Sequence, residues 1–383
     1  MSADLRAVAT VAGVATHALG EAPGLSEMEI TAGAALKALA DAGLAPKDVD
    51  ALFCTSMQHN MASLSLAEYL GIRPVFSDSS MIGGSSNLAH VLTAMMAIHA
   101  GLCRVALIAY GSNQRSAAGR LVTSSLPNPY EAPYRPRYPI TAYALAAARH
   151  MHEYGTTREQ LAEVAVAARR WAALNPEAFE RGPLTVDDVL NSRPVSDPFT
   201  VRDCCLVTDG GGALVVVAAD LARDLPKPPV HLLGAAMAHW HRHISGMPDL
   251  TVTAASESGP RAFAMAGVTP ADVGVVELYD AFTINPIVFL EDLGFCPKGE
   301  GGRFVSGGAI APGGRLAVNT NGGGLSCCHP GMYGMFPMVE AVRQLRGEAG
   351  ARQAGTPEIG LAHGNGGVFS SQVTVLLGTD AAR

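Results

Sequence analysis

The sequence predicts a duplicated α/β protein with a helical insertion, because three kinds of segment occur twice in the same order. The first kind is an A-G…P…D-V run leading to an apolar strand, the second a glycine-rich turn opening a helix, and the third an apolar strand ending in A-[YH]-G. The pairs are Ala42–Cys54 with Ala266–Leu278, Gly83–Gly101 with Cys327–Gly347, and Leu107–Asn113 with Gly360–Gly366. Each half is therefore predicted to run helix, strand, glycine turn, helix, strand, as in layered α/β proteins.

The region between the halves has a different composition. A Pro- and Tyr-rich stretch, "LPNPYEAPYRPRYP", precedes two helical patterns, "ITAYALAAARHMHEYG" and "TREQLAEVAVAARRWAALN", with Thr157 at the N-cap position of the second. "DCCLVTDGGGALVVVAA" then reads as a buried strand that returns to the first half. We predict a first half of residues 1–113 plus 204–225, a helical loop domain of 114–203, and a second half of 226–383.

Composition limits the classes of function. The chain has 383 residues, 48% of them hydrophobic, and a net charge of −7, so it can bury large cores. Mild acidity without a basic run argues against nucleic acid or an anionic membrane as partner. No run approaches the roughly 18 apolar residues of a membrane span, and the first residues lack the features of a signal peptide. Seven cysteines in such a chain read as reduced thiols, so we expect a cytoplasmic protein.

Glycine is abundant and clustered rather than periodic. Six clusters, "GGSS", "TDGGGA", "GEGGRF", "SGGAIAPGG", "NGGG" and "GNGG", occur where a predicted strand meets another element. Glycine is used where the backbone turns sharply or approaches a ligand closely. The clusters predict a site built largely from main chain.

Several motifs, in family order along nearly the whole chain, resemble the thiolase superfamily. They are "YGTTREQLAEVAV", "DCCLVTDGGGALVV", "ELYDAF" and "NTNGGGLSCCHPGMYG". The pattern is most similar to the sterol-carrier-protein-type thiolases and their thiolase-like relatives. The resemblance implies a duplicated thiolase fold, five-layered αβαβα with an inserted helical loop domain, and a homodimeric core.

The same resemblance implies where the site lies and what it lacks. Thiolases attack with a cysteine at the start of the first-half helix, a position that falls here at about Gly84 in "SDSSMIGGSSNLAHVL". No cysteine lies between Cys54 and Cys103, so the nucleophile is absent. Ser85 or the next serine remains an alternative, although a serine hydroxyl needs an adjacent base, and capping of the helix is the simpler interpretation.

Other family positions are kept or exchanged. His329, in Cys328-His329-Pro330, occupies the place of the G-H-P histidine, and His363 in "LAHGNGG" that of the late acid/base cysteine. Tyr279, in "YDAF", replaces an asparagine or histidine. The resemblance thus implies His329, His363 and Tyr279 as catalytic residues. A second set of residues is implied for the oxyanion and glycine loops: Gly84, Ser85, Asn319 and Gly323.

Cys327 and Cys328 remain alternative nucleophiles, although the family keeps its attacking cysteine in the other half, and buried packing is the simpler interpretation. Some thiolase-like relatives cleave steroid side chains, and the resemblance to them implies a catalytic tyrosine in this loop, where this chain has the two cysteines and the nearest tyrosine is Tyr333. The identity of the acyl group is therefore left open.

A base, donors for an enolate oxygen and an acid suffice for retro-aldol cleavage of a β-hydroxyacyl-CoA, which needs no nucleophile. The resemblance extends to the lipid-transfer-protein-type aldolases that cleave steroid side chains, and implies a small acyl-CoA-binding partner with an OB-fold and a zinc-ribbon-like module. We therefore expect a coenzyme A thioester as substrate and no tightly bound cofactor. An acetyl-CoA C-acyltransferase and a non-catalytic acyl-CoA-binding subunit remain alternatives.

Two further groups of residues have side chains suited to binding a metal or phosphates. "HWHRH" (His239–His243) has three histidines on one face of an extended segment, but without a further ligand we predict no metal site. Arginines of the insertion, namely Arg120, Arg135 and Arg137, are candidates for the phosphates of coenzyme A, with solvated surface side chains as the alternative.

Overall fold

The computed structural model describes residues 5–117 and 128–383. The first half contributes β1 (Ala9–Gly20), α1 (Glu27–Asp41), β2 (Ala51–Cys54), α2 (Ala62–Leu70), β3 (Phe76–Asp78), α3 (Ser86–His99) and β4 (Val105–Ser112). The insertion contributes α4 (Ile140–Tyr154), α5 (Arg158–Ala172), α6 (Val186–Leu190), β5 (Pro194–Ser196) and β6 (Phe199–Thr200). After it come β7 (Asp209–Ala218), β8 (Val230–His239), α7 (Ala255–Ala266), β9 (Val275–Leu278), α8 (Ile284–Asp292), α9 (Gly301–Val305), β10 (Ala317–Val318), α10 (Met335–Leu345), β11 (Ile359–Gly366) and β12 (Ser371–Gly378).

Strand order confirms the duplication. The main sheet runs β10-β9-β11-β12-β8-β1-β7-β4-β2-β3. Read outward from its centre, each half has the same order, β1-β7-β4-β2-β3 on one side and β8-β12-β11-β9-β10 on the other. Among the described residues, the two half-sheets pair through a short seam, where Thr10 pairs with His231 and Val11 with Val230.

Helices α3 and α10 form the middle layer. Both contact strands of the two half-sheets and contact each other, whereas α1 and α2 pack on strands of the first half and α7 and α8 on strands of the second. Helix α3 is buried on nearly every side, as a helix between two sheets must be. The predicted αβαβα layering is confirmed. None of the helices in the described ranges is long and apolar enough to cross a membrane.

One of the contacts between the insertion and the core is made by a buried carboxylate, Asp203, which joins α5 to the segment before α8. Arg158, at the start of α5, donates from both Nη atoms to Asp203, at 3.0 and 2.7 Å. Asp203 also accepts hydrogen bonds from the hydroxyls of Thr200 and Thr283, the latter just before α8. Thr157 caps α5 as predicted, since its Oγ1 accepts from the Gln160 amide. The boundaries drawn between the three units stay a prediction.

We predict that Arg158→Met lowers the free energy of unfolding by about 3 kcal/mol, because it leaves the Asp203 carboxylate buried without its cation. Arg149→Met is the matched control: Arg149 pairs with Glu153 on the exposed face of α4, and its loss should change stability by less than about 0.5 kcal/mol. Urea unfolding of both variants measures the difference. Equal effects would show that the Asp203 contacts do not anchor the insertion.

Candidate active site

A cavity of about 390 Å³ opens where the loops preceding α3 and α10 meet the insertion. Most of its wall is apolar. The first half and the insertion line it with Met57, Met81, Gly83, Gly84, Gln114, Tyr138, Pro139, Ile140 and Tyr143. The return strand and second half add Cys204, Cys205, Val207, Arg242, His243, Tyr279, Ala281, Phe282, His329, Gly331, Met332, Asn365, Gly367 and Val368. Size and composition suit a small-molecule site.

Tyr279 and His329 meet in this wall. Tyr279 directly follows β9, and its hydroxyl lies 3.1 Å from His329 Nε2. The His329 loop is fixed from the first half: its main-chain N–H donates to Thr208 Oγ1 at 3.0 Å, and the hydroxyl of Tyr110 donates to the carbonyl of Pro330. Tyr333 stacks on the imidazole with ring centroids 6.1 Å apart. Two of the predicted catalytic side chains are thus in contact.

Burial sets the protonation state of this pair. Loss of solvation lowers the pKa of His329 to about 4, because the imidazolium is disfavoured away from water. The same loss raises the pKa of Tyr279 well above its usual value. At neutral pH the pair is a neutral imidazole and a protonated phenol. His329 Nδ1 has no hydrogen-bond partner within residues 5–117 and 128–383. Nε2 faces the Tyr279 hydroxyl, so Nε2 is the nitrogen that can exchange a proton with the phenol.

Gly84 lies against the Tyr279 ring. A Cβ placed on Gly84 would be 2.1 Å from Tyr279 Cε2 and 2.6 Å from its hydroxyl oxygen. These distances are far inside van der Waals contact, and the obstacle is a buried ring rather than the end of a flexible side chain. The Tyr279 phenol therefore fills the space that the side chain of a nucleophile at position 84 would need.

The two serines after Gly84 face the turn rather than the cavity. Ser85 Oγ donates to the carbonyl of Ile82 and lies 2.7 Å from Ser371 Oγ. Ser86 Oγ donates to the carbonyl of Gly83 at 2.7 Å. Neither serine lines the cavity. Their hydroxyls hold the turn before α3 but do not cap the helix, because the Ser85 side chain at the N-cap position accepts no hydrogen bond from the first turn. The predicted capping role is therefore wrong, although both hydroxyls are used in local structure.

Asn319 and Gly323 support the His329 loop from behind and do not line the cavity. Asn319 Oδ1 accepts from the Leu278 amide at 2.6 Å, which fixes the end of β9. A Cβ on Gly323 would lie 2.0 Å from Asp280 Oδ2, so only glycine fits there. Asp280 Oδ1 accepts from the Gly324 amide, and burial raises the pKa of this carboxyl to about 7. A direct oxyanion role for Asn319 or Gly323 finds no support in this geometry.

The thiols of Cys327 and Cys328 are buried away from the cavity. Cys327 Sγ accepts from Asn175 Nδ2 at 3.6 Å, and burial raises the pKa of Cys328 well above its usual value. Cys204 and Cys205 do line the cavity, but burial raises the pKa of Cys204 to about 12 and that of Cys205 well above its usual value. A thiol nucleophile must ionise, so these environments argue against an acyl-cysteine intermediate.

His363 lies deeper than predicted. It belongs to β11, is fully buried, and does not line the cavity. Its Nδ1 lies 2.9 Å from Thr374 Oγ1 and its Nε2 2.9 Å from Gln372 Oε1, so both ring nitrogens are already hydrogen-bonded. Burial lowers its pKa to about 4. The geometry gives no support to His363 as the acid that protonates a bound substrate.

The three histidines of residues 239–243 have separate partners or positions. His239 is 3.0 Å from Ser371 Oγ, His241 lies 2.8 Å from the Val368 carbonyl, and only His243 lines the cavity. Among residues 5–117 and 128–383, no group of three histidine, cysteine or acidic side chains is arranged to hold a metal ion. Arg135 and Arg137 are exposed and Arg120 lies outside the described residues.

Comparison with known proteins shows the family of this chain. A sequence profile described as "Thiolase C-terminal domain-like" matches residues 236–379. The 17-hydroxy-3-oxo-4-pregnene-20-carboxyl-CoA lyase of Mycobacterium tuberculosis is 36% identical over 380 residues, which cover 94% of this chain and 96% of that protein. The chain belongs to the thiolase superfamily. Within it, the chain falls with the sterol-carrier-protein-type thiolase-like proteins, so the predicted family is confirmed.

Two further relatives show how broad this thiolase-like group is. A solved structure described as an "Ltp2-ChsH2(DUF35) aldolase" is 35% identical, covers 98% of this chain and 99% of its own, and superposes with a TM-score of 0.90. An acetyl-CoA acetyltransferase of Methanothermobacter thermautotrophicus is also 35% identical, over 95% of this chain and 97% of its own. Identity alone therefore does not separate aldolase from acyltransferase.

Three residues of this thiolase-like site were not singled out from the sequence. Gln114 follows β4, is almost fully buried, and its Nε2 has no partner within the part of the chain that the structure describes. Tyr143 comes from α4, and Asn365 from the end of β11. Asn365 lies in the "GNGG" cluster, whose glycine content already indicated a close approach of backbone to ligand.

We predict that Gly84→Ala lowers kcat/KM by about 100-fold or more, because displacing the Tyr279 ring by about 1 Å misaligns it with His329. Gly182→Ala is the matched control, since a Cβ there meets no atom within 4 Å, and it should leave kcat/KM unchanged. Steady-state kinetics, with circular dichroism to verify folding, decide the matter. A fully active G84A enzyme would show that the glycine–phenol contact is dispensable.

Proposed function

We propose that this protein is a coenzyme A-dependent carbon–carbon lyase that cleaves a β-hydroxyacyl-CoA by a retro-aldol reaction. The observation that carries the proposal is the Tyr279 ring filling the side-chain space of Gly84 while bonding His329. A thiolase needs a nucleophile at that position to accept the acyl group. A phenol and an imidazole in its place provide acid–base chemistry instead.

The reaction moves one proton and breaks one carbon–carbon bond. The β-hydroxyl proton passes to the dyad, its oxygen forms a carbonyl, and the electrons of the Cα–Cβ bond flow into the thioester to give an enolate. In the tautomer with hydrogen on Nδ1, His329 Nε2 accepts from Tyr279 while the phenol oxygen takes the substrate proton. Protonation of Cα by the same pair then completes the reaction. Because no net proton is gained or lost, one dyad suffices.

The substrate we propose is a bulky apolar thioester such as the one named for the Mycobacterium tuberculosis relative. Cleavage of the bond between C17 and C20 of 17-hydroxy-3-oxo-4-pregnene-20-carboxyl-CoA would release a 17-ketosteroid and propionyl-CoA. The cavity supports a large apolar group, since its wall includes Met57, Met81, Ile140, Val207 and Phe282. Burying such surface contributes about 25 cal/mol per Å².

We also propose the assembly and its setting. The Ltp2-ChsH2(DUF35) structure names a second protein beside the homologous chain, and we propose that this chain likewise works with a small acyl-CoA-binding partner containing an OB-fold and a zinc-ribbon-like module. A homodimeric core, a cytoplasmic location and the absence of a tightly bound cofactor are part of the same proposal. Size-exclusion chromatography of the co-purified complex tests its composition.

The competing function is acyl transfer, which the acetyltransferase relative favours. It requires a covalent acyl-enzyme, whereas a lyase forms none. Intact-protein mass spectrometry after incubation with propionyl-CoA and with the steroid thioester separates the two, and we expect no mass increase. An acyl adduct on any cysteine or serine would overturn the lyase proposal. A third possibility, a non-catalytic subunit, is contradicted if ketosteroid and propionyl-CoA appear and require His329.

We predict that His329→Ala lowers kcat by about 10²- to 10⁴-fold, the usual contribution of one acid–base group, and that Tyr279→Phe falls in the same range. Release of ketosteroid and propionyl-CoA, followed by liquid chromatography, measures both. His152→Ala is the control, because His152 is exposed on α4 and does not line the cavity, and it should leave turnover unchanged. Near-normal turnover in H329A would remove His329 from the mechanism.

We predict that kcat/KM stays flat as pH falls from 8 to about 5 and declines only as pH falls through about 4, the pKa to which burial lowers His329. The sign follows because the base must be neutral, and a lowered pKa keeps it neutral over a wider range. A loss of activity centred near the ordinary histidine pKa of about 6.5 would show that His329 is solvated in the working enzyme.

A further inference from the structure

A chain of hydrogen bonds runs from the cavity into the second half. Asn365 and Tyr143 line the cavity, and Asn365 Nδ2 lies 2.7 Å from the Tyr143 hydroxyl. Gln372 Nε2 is 2.7 Å from Asn365 Oδ1, and Gln372 Oε1 is 2.9 Å from His363 Nε2. His363 Nδ1 contacts Thr374 Oγ1 at 2.9 Å, and that hydroxyl contacts Ser258 Oγ at 3.0 Å. His363, which does not contact Tyr279 or His329, is thus a member of this hydrogen-bond network.

The direction of every bond follows from one end. The Tyr143 hydroxyl lies 2.9 Å from the main-chain carbonyl of Gly367, which can only accept. The single hydroxyl hydrogen of Tyr143 is donated to this carbonyl, so the Tyr143 oxygen must accept from Asn365. The NH₂ group of Asn365 therefore faces Tyr143. Asn365 Oδ1 then accepts from Gln372, and the Gln372 oxygen is turned toward His363. The two side-chain amides have a single orientation.

His363 closes this arrangement. Gln372 Oε1 is an acceptor, so His363 must carry its hydrogen on Nε2, and the neutral ring then accepts at Nδ1 from the Thr374 hydroxyl. The ring is fully buried and stacked edge-on against Phe289, with centroids 4.6 Å apart. Burial keeps it neutral by lowering its pKa to about 4. His363 therefore donates to the Gln372 oxygen and holds Gln372, and through it Asn365, in the orientation that the Gly367 carbonyl dictates.

One hydrogen of Asn365 is left over. Its Nδ2 carries two, and among the described residues only the Tyr143 hydroxyl accepts from it. The residue lies in the cavity wall together with Tyr279 and His329. We propose that this hydrogen binds the thioester oxygen of the substrate, and that His363 is a positioning residue that keeps the Asn365 amide turned as a donor. This inference rests on the retro-aldol function proposed above.

The chemistry favours the thioester oxygen as the target. An enolate oxygen carries the developing negative charge, and a neutral, pre-oriented N–H donor stabilises it without reorganisation during the reaction. The phenol and imidazole of the dyad are engaged with each other, so a separate donor is needed for this oxygen. A flipped Asn365 amide would present its carbonyl to the same charge, which is why its orientation matters.

Two variants of Asn365 test the donor. We expect Asn365→Asp and Asn365→Ala to lower kcat by about 10²- to 10³-fold, the loss typical of one oxyanion donor. Binding of propionyl-CoA, measured by calorimetry, should weaken about tenfold in N365D, because a carboxylate faces the thioester oxygen. Unchanged kcat and unchanged propionyl-CoA binding in both variants would overturn the proposal.

Two variants of His363 separate positioning from proton transfer. Gln in place of His363 keeps an N–H near the position of Nε2, whereas Leu does not. We expect His363→Gln to retain kcat within about threefold and His363→Leu to lose about tenfold or more, with KM little changed and the pH profile unaltered in both. Equal loss in H363Q and H363L, or a missing limb of the pH profile in H363Q, would show that His363 transfers a proton.

Ring-nitrogen NMR of ¹⁵N-histidine-labelled protein gives a readout independent of turnover. The His363 signals, assigned by their absence in H363Q, should show a hydrogen on Nε2 and none on Nδ1 from pH 8 to about 5, since burial holds the ring neutral. The opposite tautomer would overturn the chain as described. If the wild-type protein cleaves no steroid thioester but the NMR and propionyl-CoA binding results hold, the retro-aldol function fails and the Asn365 site stands.

Discussion

The contact between the Gly84 backbone and the Tyr279 ring is the constraint on which the rest of the site depends. Gly84 lies in the turn before the middle-layer helix of the first half, and Tyr279 directly follows a strand of the second, so this contact joins the two halves at the cavity. Any side chain at position 84 would occupy the space of the phenol. The glycine at the nucleophile position therefore also makes room for the phenol that contacts His329.

The fold was largely predictable because the sequence contains two copies of the same series of segments. The paired segments around Ala42 and Ala266 predict equivalent strands, and the structure places those strands, β2 and β9, at equivalent positions in the two half-sheets. The seam between β1 and β8 was not predictable, since it consists of two residue pairs with no local signal. The Asp203 anchor was also hidden, because it depends on partners distant in sequence.

The site was predictable only where glycine, histidine and tyrosine stood in recognisable motifs, as for Gly84, His329 and Tyr279. His363 shows the limit. A strand rises about 3.3 Å per residue, so His363 lies roughly 7 Å below Asn365 on the same face of β11, and only Asn365 reaches the cavity. Motif position gave the strand correctly, but the depth of a side chain depends on where the strand ends relative to its neighbours.

The cavity wall keeps its reactive groups neutral, and this suits the proposed chemistry. Burial lowers the pKa of His329 and raises those of Tyr279 and Cys205. A buried unpaired ion would be costly, whereas the retro-aldol reaction needs none in its resting state, because the proton removed from oxygen is returned to carbon. Charge appears only transiently, on the enolate oxygen. Stabilising this charge requires hydrogen-bond donors that are oriented before the substrate binds. The hydrogen bonds from the Gly367 carbonyl through Asn365 to His363 have one direction each, and they orient the Asn365 amide in this way.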